Sequence, residues 1–301
     1  WFNVGGESSA SVSINEDGTI TVTSGAPDIG GSRASLCIMA AEIFGVDIDQ
    51  VRAVIGDTTA TAFNRHTGGS RVTFALGAVV IEAAEDCVRQ LRERAAKTWD
   101  IDIDAVEWEN GEARPAGENA GKFEPLTLMD IAEKTPMTGG PIGVKKSSNV
   151  QGPGPAFGTH ICDVEVDRET GHVKILRYTA IQDAGRAIHP GYVEGQMQGG
   201  VVQGIGWALN EEYVYDDQGC MENASFLDYR MPLASDLPMI DTVMVEVTNP
   251  DHPYGVKGVG EANIVPPMAA VANAVRDAIG KRLTDLPMSP PRVLAAMEEH
   301  D

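Results

Sequence analysis

Asp251-His-Pro-Tyr-Gly-Val-Lys-Gly-Val-Gly-Glu261-Ala-Asn-Ile-Val-Pro-Pro267 is the stretch around which the rest of the chain is organised. Its glycines let the backbone bend closely and tolerate positive φ. Pro266 and Pro267 mark a helix start, because proline in the first helical turn loses no N–H that the helix needs. The apolar spacing beyond them predicts an amphipathic helix over 266–279. The stretch therefore predicts a glycine loop that carries one carboxylate, Glu261, at the mouth of a rigid helix.

Two interpretations of Glu261 follow from this stretch. A lone acid held on a loop beside a helix is a candidate general base. Alternatively, Glu261 only lies near a helix N-terminus, where the helix dipole favours negative charge. The stretch by itself leaves both interpretations open.

Composition bounds the class of protein. The chain has 301 residues, of which 43% are hydrophobic, and it contains 33 glycines and 17 prolines. These values predict a globular α/β or α+β protein with many turns, long enough for one large domain or two ordinary ones. The net charge of −21 disfavours nucleic acid and anionic membranes as partners. No apolar run approaches the roughly 20 residues that span a bilayer.

The cysteines and the first residue bear on location. Cys37, Cys87, Cys162 and Cys220 are far apart and form no Cys-x-x-Cys motif, so zinc or an iron–sulfur cluster bound by this chain alone is not expected. We expect reduced, mostly buried thiols and a cytoplasmic location. The first residue is Trp1 rather than Met, so we expect a processed chain, a trimmed chain or a piece of a longer one, without a signal peptide at this end.

The first half of the chain predicts a mixture of strands and helices. The expected elements are a hairpin over 11–23, a helix over 32–44 that ends at Gly45, a strand over 51–55, a helix over 72–97, a small hairpin over 106–114 with a type I′ turn at Asn110-Gly111, and a short helix over 126–134 capped by Thr127. Residues 135–151 are rich in Gly, Pro and Ser and predict a crossing segment or a subdomain boundary.

The second half predicts a similar mixture. The expected elements are a hairpin over 159–182, a turn over 183–190, a helix over 192–210, strands over 211–215 and 239–247, and a last helix with Ser289 as N-cap and Pro290 in its first turn. The helix over 192–210 holds five glycines, which cost about 1 kcal/mol each relative to alanine. Such a helix predicts close backbone approach. Gln196 and Gln203 lie seven apart on one face, so both amides could meet one ligand.

Two glycine loops share one design. Asp28-Ile-Gly-Gly-Ser-Arg33 and Thr67-Gly-Gly-Ser-Arg71 each place backbone N–H groups, a serine and an arginine before a helix. Such a terminus favours phosphate or another oxyanion. Ordinary capping by Ser32 and Ser70 is the alternative.

Several common motifs are absent from the sequence. Gly255 to Gly260 has the wrong spacing for a dinucleotide fingerprint, and no P-loop or Gly-x-Ser-x-Gly elbow is present. The scattered histidines are expected to be surface or hydrogen-bonded residues rather than metal ligands: His66, His160, His172, His189 and His252.

Taken in order, these segments resemble the molybdenum hydroxylases of the xanthine dehydrogenase and aldehyde oxidase family. The resemblance is to the C-terminal half of their molybdopterin-binding large subunit, and it extends over nearly the whole chain. The segments that carry it are 28–32, 56–71, 183–190, 193–206, 228–232, 258–261 and 283–287. The resemblance implies an α+β fold of two intertwined α/β subdomains, over 1–150 and 151–301, the second carrying the Glu261 loop.

The resemblance also assigns roles to residues. In such enzymes a pterin dithiolene holds the molybdenum, and a glutamate in a Gly-x-Gly-Glu loop, here Glu261, takes a proton from a metal-bound hydroxyl group. The backbone of Gly69 is expected to pass beside the metal, with no side-chain ligand. The other expected cofactor contacts are Gly30, Gly31, Ser32, Arg33, Thr67, Gly68, Ser70, Arg71, Gln196, Gln203, Lys257, Gly258, Val259 and Gly260. The candidate substrate contacts are Phe63, Asn64, Arg65 and Tyr254.

The chain departs from the family pattern in three ways. Gly31 stands where related chains usually carry a cofactor-contacting glutamine. The motifs of the N-terminal half are missing, so the chain is expected to be a split subunit, as in a nicotinate-dehydrogenase-like enzyme, or a fragment. Iron–sulfur clusters and FAD are expected on partner subunits.

The expected protein is therefore one subunit of a heteromeric molybdenum hydroxylase. It would bind molybdopterin, in the cytosine dinucleotide form, and hydroxylate an N-heteroaromatic or aldehyde substrate. A non-catalytic assembly subunit and a phospholigand-binding module are the alternatives.

Overall fold

The computed structural model describes residues 1–2, 4–152 and 154–298. By its internal contacts the chain divides into two units. The N-terminal unit comprises Asn3–Gly154 and Thr248–Val256, and the C-terminal unit comprises Trp1–Phe2, Pro155–Val247 and Lys257–Asp301. Both units combine helices with sheets, which confirms the α+β prediction.

The N-terminal unit is built on a four-stranded sheet. Its elements are β1 (Gly6–Ile14), β2 (Ile20–Ser24), α1 (Ser32–Phe44), β3 (Val51–Ile55), α2 (Gly77–Trp99), β4 (Val106–Glu109), β5 (Glu112–Pro115), β6 (Leu126–Thr127), α3 (Leu128–Thr138) and β7 (Gly143–Val150). The sheet has the order β3-β2-β1-β7, in which β1 is antiparallel to both neighbours and β2 is parallel to β3. Strands β4, β5 and β6 form a small separate sheet.

Alternating residues of the first hairpin, β1 and β2, are buried in the core of this unit. Val12 pairs with Val22, and these two residues and Ile20 are fully buried. Helices α1 and α2 cover them with apolar residues such as Leu36 and Leu91. The apolar residues at every second position of the strands thus pack against the apolar residues of α1 and α2 in one core.

Two features of this unit differ from the predictions. Residues 135–151 are not a crossing segment: α3 runs on to Thr138 with Pro136 inside it, and β7 then pairs with β1 along its length. Sequence composition misled because β7 is an edge strand of polar residues, whose partner lies far away in sequence. The predicted helix over 72–97 begins with a π-helical turn, Val72–Leu76, before α2.

The C-terminal unit packs helices on a three-stranded sheet. Its elements are β8 (Gly158–Val166), β9 (Val173–Asp183), α4 (Pro190–Leu209), β10 (Ile240–Val245), α5 (Pro266–Ile279) and α6 (Pro290–Glu298). The sheet has the order β10-β9-β8, with β8 antiparallel and β10 parallel to β9. Helix α5 contacts β8 and α4, and the core between them includes Tyr178, Val201, Val271 and Val275.

The predicted strand over 211–215 is wrong. Only Tyr215 makes an isolated bridge, to Met221, and the Val214 N–H donates to the Asn223 side chain. The alternation of aromatic and polar residues suggested a strand, but these backbone groups bond within a local loop. Helix α4 begins at Pro190, two residues earlier than predicted, where the His189 side chain accepts a hydrogen bond from the Tyr192 N–H.

Across residues 1–2, 4–152 and 154–298, no helix is both long and apolar enough to span a membrane. All four cysteines are free thiols; Cys37 and Cys87 are buried, Cys162 is half-buried and Cys220 is exposed. The expectation of mostly buried thiols therefore holds for Cys37 and Cys87 and in part for Cys162.

Candidate active site

The Glu261 loop lies between a buried stretch and a short helical turn. Lys257 and Gly258 are buried, whereas Val259, Gly260 and Glu261 are partly exposed. Glu261 adopts helical backbone angles directly before a 3₁₀ turn, Ala262–Ile264, and its side chain makes no capping hydrogen bond to that turn. Helix α5 then begins at Pro266, as predicted. Glu261 thus lies near a helix N-terminus, as the alternative interpretation predicts, and both interpretations of this carboxylate stay open.

Two buried amides hold this loop from one side. Gln182, at the end of β9, donates from Nε2 to the Gly258 carbonyl at 3.2 Å. Asn263 donates from Nδ2 to the Val259 carbonyl at 3.2 Å and also to Gln182 Oε1. Both residues are at most 1% exposed. Sequence reasoning missed both, because neither lies in a motif and they are brought together only by the fold.

A buried ion pair lies at the base of the same loop. Lys257 Nζ lies 2.6 Å from Asp183 Oδ2, and the Lys257 N–H donates to the Ala184 carbonyl at 3.2 Å. The other oxygen of Asp183 accepts from the N–H groups of Gly185 and Val247. The ammonium group of Lys257 thus pairs with a carboxylate of the same unit, and its predicted place in the cofactor cavity stays a prediction.

Glycines of α4 let the loop approach the helix closely. A Cβ on Gly204 would lie 2.8 Å from the Ile264 carbonyl oxygen and from Pro267, and one on Gly200 would lie 3.0 Å from the Asn263 side chain. The predicted close backbone approach is confirmed at these positions. Gly195 would meet nothing within 4 Å.

The two glutamines of α4 that were predicted to meet one ligand have different surroundings. Gln203 is exposed and Gln196 is half-buried. Both belong to the same unit as Glu261. Their contact with a ligand stays a prediction.

In the N-terminal unit, the first glycine loop turns sharply before α1. Gly30 and Gly31 have φ of 69° and 77°, a left-handed region that glycine occupies without strain. Gly31 is the N-cap residue and Ser32 is already helical, so the predicted capping by Ser32 is wrong. Asp28 accepts from the Arg33 N–H at 3.0 Å and pairs with the Arg33 side chain at 3.3 Å. A carboxylate of the chain itself thus already occupies part of this helix terminus.

The second glycine loop offers an unpaired polar atom. The Thr67 hydroxyl is buried and has no hydrogen-bond partner among the residues that the structure describes. Gly69 and Ser70 have positive φ of 66° and 56°, and the Gly69 carbonyl accepts from the Val4 N–H at 3.0 Å. Ser70 does not cap the following helix, whose N-cap residue is Arg71. The loop is therefore pinned on one side and carries a polar group without a partner.

The Arg71 side chain is buried and bonded to neighbouring residues of the N-terminal unit. It is 1% exposed, and its guanidinium donates to the Ser8 hydroxyl and to four backbone carbonyls. Those carbonyls belong to Gly5, Gly6, Glu7 and Arg65. Nε and Nη1 each donate one of these bonds, and Nη2 lies within bonding distance of three acceptors, so neighbouring residues hold this side chain. Its contact with a cofactor stays a prediction.

The four predicted substrate residues all lie in the N-terminal unit. Phe63 is 65% exposed, and Asn64 exchanges two hydrogen bonds with the backbone of Ser9. The Arg65 N–H donates to the Glu7 carbonyl. The Tyr254 N–H donates to His252 Nδ1 at 3.0 Å. Phe63 and Arg65 are thus the exposed residues of the four, whereas Asn64 and Tyr254 are half-buried.

Two histidines have a lowered pKa, the half-buried His160 in the C-terminal unit and the buried His252 in the N-terminal unit. His160 Nδ1 lies 2.9 Å from the Tyr178 hydroxyl, and burial lowers the pKa of His160 to about 4. Burial likewise lowers the pKa of His252, which is 5% exposed, to about 4. Both are hydrogen-bonded residues, as the sequence predicted for its histidines. Among the described residues, no group of three His, Cys, Asp or Glu side chains could hold a metal ion.

The residues present fit a cofactor that brings its own metal ligands. The orphaned Thr67 hydroxyl and the glycines with left-handed backbone provide room and hydrogen-bonding capacity without a side-chain metal site. The α4 glycines bring the loop of the candidate base, Glu261, close to the helix that carries Gln196 and Gln203.

These features define a cofactor-binding domain of α+β fold, and comparison with known proteins identifies its family. The sequence profile of the molybdopterin cofactor-binding domain matches residues 2–238. The chain therefore belongs to this family, and the resemblance to molybdenum hydroxylases is confirmed.

Relatives of known activity cover almost all of the chain. It is 34% identical, over 291 residues, to the xanthine dehydrogenase molybdenum-binding subunit of Escherichia coli O157:H7, covering 93% of this chain and 38% of that protein. It is 32% identical, over 299 residues, to the nicotine 6-hydroxylase large subunit of Paenarthrobacter nicotinovorans, covering 95% of this chain and 36% of that protein. The chain thus spans little more than a third of these relatives.

The fold is likewise that of a solved enzyme. Quinoline 2-oxidoreductase from Pseudomonas putida 86 superposes with a TM-score of 0.87 at 27% identity, covering 98% of this chain and 39% of that one.

Proposed function

We propose that this chain supplies the C-terminal part of the cofactor site of a multi-subunit molybdenum hydroxylase, with Glu261 as general base. The observation that carries the proposal is the Glu261 loop itself. Its backbone is tied down by Gln182 and Asn263, and its carboxylate follows two partly exposed residues. A carboxylate on a fixed loop can accept a proton without binding the metal.

Each motif has a distinct part in this proposal. The backbone of Gly68, Gly69 and Ser70 and the hydroxyl of Thr67 would hold the pterin, supported by the orphaned state of that hydroxyl. The resemblance also assigns the backbone of Gly258, Val259 and Gly260 to the cofactor. The bound group would supply Lewis-acid and two-electron redox chemistry. Glu261 would remove the proton from the water-derived oxygen that enters the substrate.

The first glycine loop has a weaker case as a phosphate site. Its helix N-terminus favours an anion, but Asp28 already bonds the Arg33 N–H and side chain. Phosphate binding there would depend on the remaining backbone N–H groups near Gly30, Gly31 and Ser32. Hydrolysis of the extracted cofactor and measurement of cytidine monophosphate would test the proposed cytosine dinucleotide form.

The relatives support proposals for the substrate class and the partners. The names nicotine 6-hydroxylase and quinoline 2-oxidoreductase support an N-heteroaromatic substrate, and the aldehyde oxidoreductase subunit of Escherichia coli, 28% identical, supports an aldehyde as the second candidate. Because the chain spans about 36–39% of these relatives, we propose that the rest of the site lies on the complementary part of the molybdenum-binding region. Iron–sulfur and FAD subunits complete the proposed complex, and the free thiols support a cytoplasmic location.

The test compares Glu261→Gln with Glu165→Gln, an exposed carboxylate on β8, in the complete enzyme. We expect Glu261→Gln to retain molybdenum and pterin and to lose turnover by at least about 100-fold, since general-base catalysis is worth about 10²–10⁴. The Glu165→Gln control should behave as the unmodified enzyme. Normal turnover in Glu261→Gln would contradict the assignment of the base.

Metal analysis separates the alternatives. An assembly subunit would leave the purified complex without molybdenum or pterin in this site. A phospholigand module would retain a phosphate compound when this chain is expressed alone.

A further inference from the structure

Two pairs of polar side chains lie near the Glu261 loop in the C-terminal unit. Tyr178 and His160 are joined at 2.9 Å, and Asn263 and Gln182 are joined through their amides. Tyr178, Asn263 and Gln182 are at most 1% exposed. The amide pair bonds two carbonyls of the loop, those of Gly258 and Val259. Buried polar groups are in most cases hydrogen-bonded, so the donors and acceptors of the amide pair can be assigned from these bonds.

Backbone carbonyls fix the orientation of both amides. The Gly258 carbonyl needs a donor, so Gln182 presents its NH₂ group there and its oxygen to Asn263. Asn263 likewise directs its NH₂ group at the Val259 carbonyl and at that oxygen. Both hydrogens of the Asn263 amide are then used, and its oxygen, Oδ1, remains a buried acceptor without an assigned partner.

The other buried side-chain atom near this amide pair without a partner is His160 Nε2. His160 Nδ1 lies 2.9 Å from the Tyr178 hydroxyl, and burial lowers the pKa of His160. In the described ranges neither His160 Nε2 nor Asn263 Oδ1 has a hydrogen-bond partner, so the pair of Tyr178 and His160 is separate from the amide pair that bonds the loop.

The two amides determine how the loop presents its peptide groups. In a trans peptide the C=O and the following N–H point in opposite directions. With the Gly258 and Val259 carbonyls turned toward the amides, the N–H groups of Val259 and Gly260 lie on the opposite side. No backbone carbonyl of the described ranges accepts from either N–H. The conformation of the two peptides before Glu261 is thus set by the side chains of Gln182 and Asn263.

We propose that Gln182 and Asn263 are positioning residues that set the direction of the Glu261 carboxylate and of the two N–H groups beside it. The inference rests on the proposed function of Glu261 as general base. It assigns no catalytic contact to the two residues themselves. An apolar core would stabilise the unit equally well, so the buried amide pair is explained by the precision that the loop requires.

The experiment uses Gln182→Leu and Gln182→Glu in the complete enzyme, with Gln198→Leu as the matched control. Gln198 also donates an amide hydrogen bond to a backbone carbonyl, that of Ile240, but at β10. We expect Gln182→Leu to keep its molybdenum content and KM while kcat falls about 10- to 100-fold, because displacements near 1 Å can have that effect. The control should keep its kcat.

The isosteric variant supplies a readout that a merely structural role would not change. When protonated, the carboxyl group introduced by Gln182→Glu can donate to the Gly258 carbonyl and accept from Asn263; when ionised, it cannot donate. Gln182→Glu should therefore add an ionisation to the pH profile of kcat, with activity recovering toward low pH, and Gln182→Leu should not.

The outcomes separate the two proposals. Wild-type kcat and pH profile in both Gln182 variants, with Glu261→Gln inactive, would overturn the positioning role and leave the general base intact. Normal turnover of Glu261→Gln would overturn both. Loss of the folded, molybdenum-loaded complex in both Gln182 variants would also overturn the positioning role, because a positioning residue leaves fold and cofactor in place.

Discussion

Lys257 Nζ and Asp183 Oδ2 lie 2.6 Å apart in the interior of the C-terminal unit, with their side chains only 7% and 9% exposed. The pair joins the end of β9 to the residue directly before Gly258. Because Asp183 also accepts from the N–H groups of Gly185 and Val247, one buried carboxylate fastens three stretches of chain. The Glu261 loop therefore begins from a fixed point rather than from a flexible linker.

Removal of one partner of this ion pair should be costly. We expect Lys257→Met to lower the free energy of unfolding by about 3–5 kcal/mol, because it leaves the Asp183 carboxylate buried without its cation. The matched control is Arg177→Met, which breaks an exposed pair with Asp163 and should cost about 1 kcal/mol or less. Denaturant titration of both variants measures the difference. Equal losses in the two variants would contradict the buried, unscreened character of the pair.

Two glycines of α4 should respond to alanine in opposite directions. Gly204→Ala places a Cβ 2.8 Å from the Ile264 carbonyl oxygen and Pro267, so we expect a loss of about 1–3 kcal/mol. Gly195→Ala meets nothing within 4 Å and should stabilise by about 0.5–1 kcal/mol through helix propensity. Thermal unfolding of this chain checks both signs. If both variants were stabilised, α4 and the loop would not be in close contact.

How far the sequence could predict this structure depends on the range of the interactions involved. Helices α1 and α5 have the predicted bounds because their caps, Gly45 and Pro266, act within a few residues. Strand β7 was missed because its only ladder is with β1, about 140 positions earlier, and its exposed face is polar.

The residues of the candidate site could likewise be predicted where the signal is local in sequence, and not where it depends on the fold. Glu261 and the Thr67–Arg71 loop could be predicted, because their residue types and order carry the resemblance to a family. Gln182 and Asn263 could not, since their meeting depends on how β9 approaches the turn after Glu261. Arg71 was predicted as a cofactor contact from its place before a helix, but its side chain bonds five protein groups. A local pattern does not show which partners a long side chain finds.

Protonation of His160 and His252 on unfolding should lower the stability of the chain in mild acid. The unfolded chain takes up protons near pH 6.5, whereas burial lowers the pKa of both His160 and His252 to about 4 in the folded chain. Stability is therefore fully present above pH 6.5 and declines as the pH falls toward 4. The slope is at most about 1.4 kcal/mol per pH unit for each histidine.

Urea titrations between pH 7 and pH 4.5 measure this slope. The variant His160→Gln should reduce it by about half relative to the unmodified chain, and His252→Gln should do the same. A slope that neither variant changes would assign the acid sensitivity to carboxylates instead.

The last prediction concerns Arg71, whose side chain could stabilise the fold or contact the cofactor. Loss of the first role would lower the stability of the chain, whereas loss of the second would release the cofactor. Its guanidinium donates to Ser8 and to the carbonyls of Gly5, Gly6, Glu7 and Arg65 at 1% exposure. Lysine cannot reproduce this set, and each buried carbonyl left unpaired costs about 1–3 kcal/mol. We expect Arg71→Lys to destabilise the chain by about 3 kcal/mol or more, measured without cofactor. Arg33→Lys, at an exposed arginine paired with Asp28, should change stability by less than about 1 kcal/mol. If Arg71→Lys were as stable as the unmodified chain and instead released the pterin from the complete enzyme, its side chain would contact the cofactor directly.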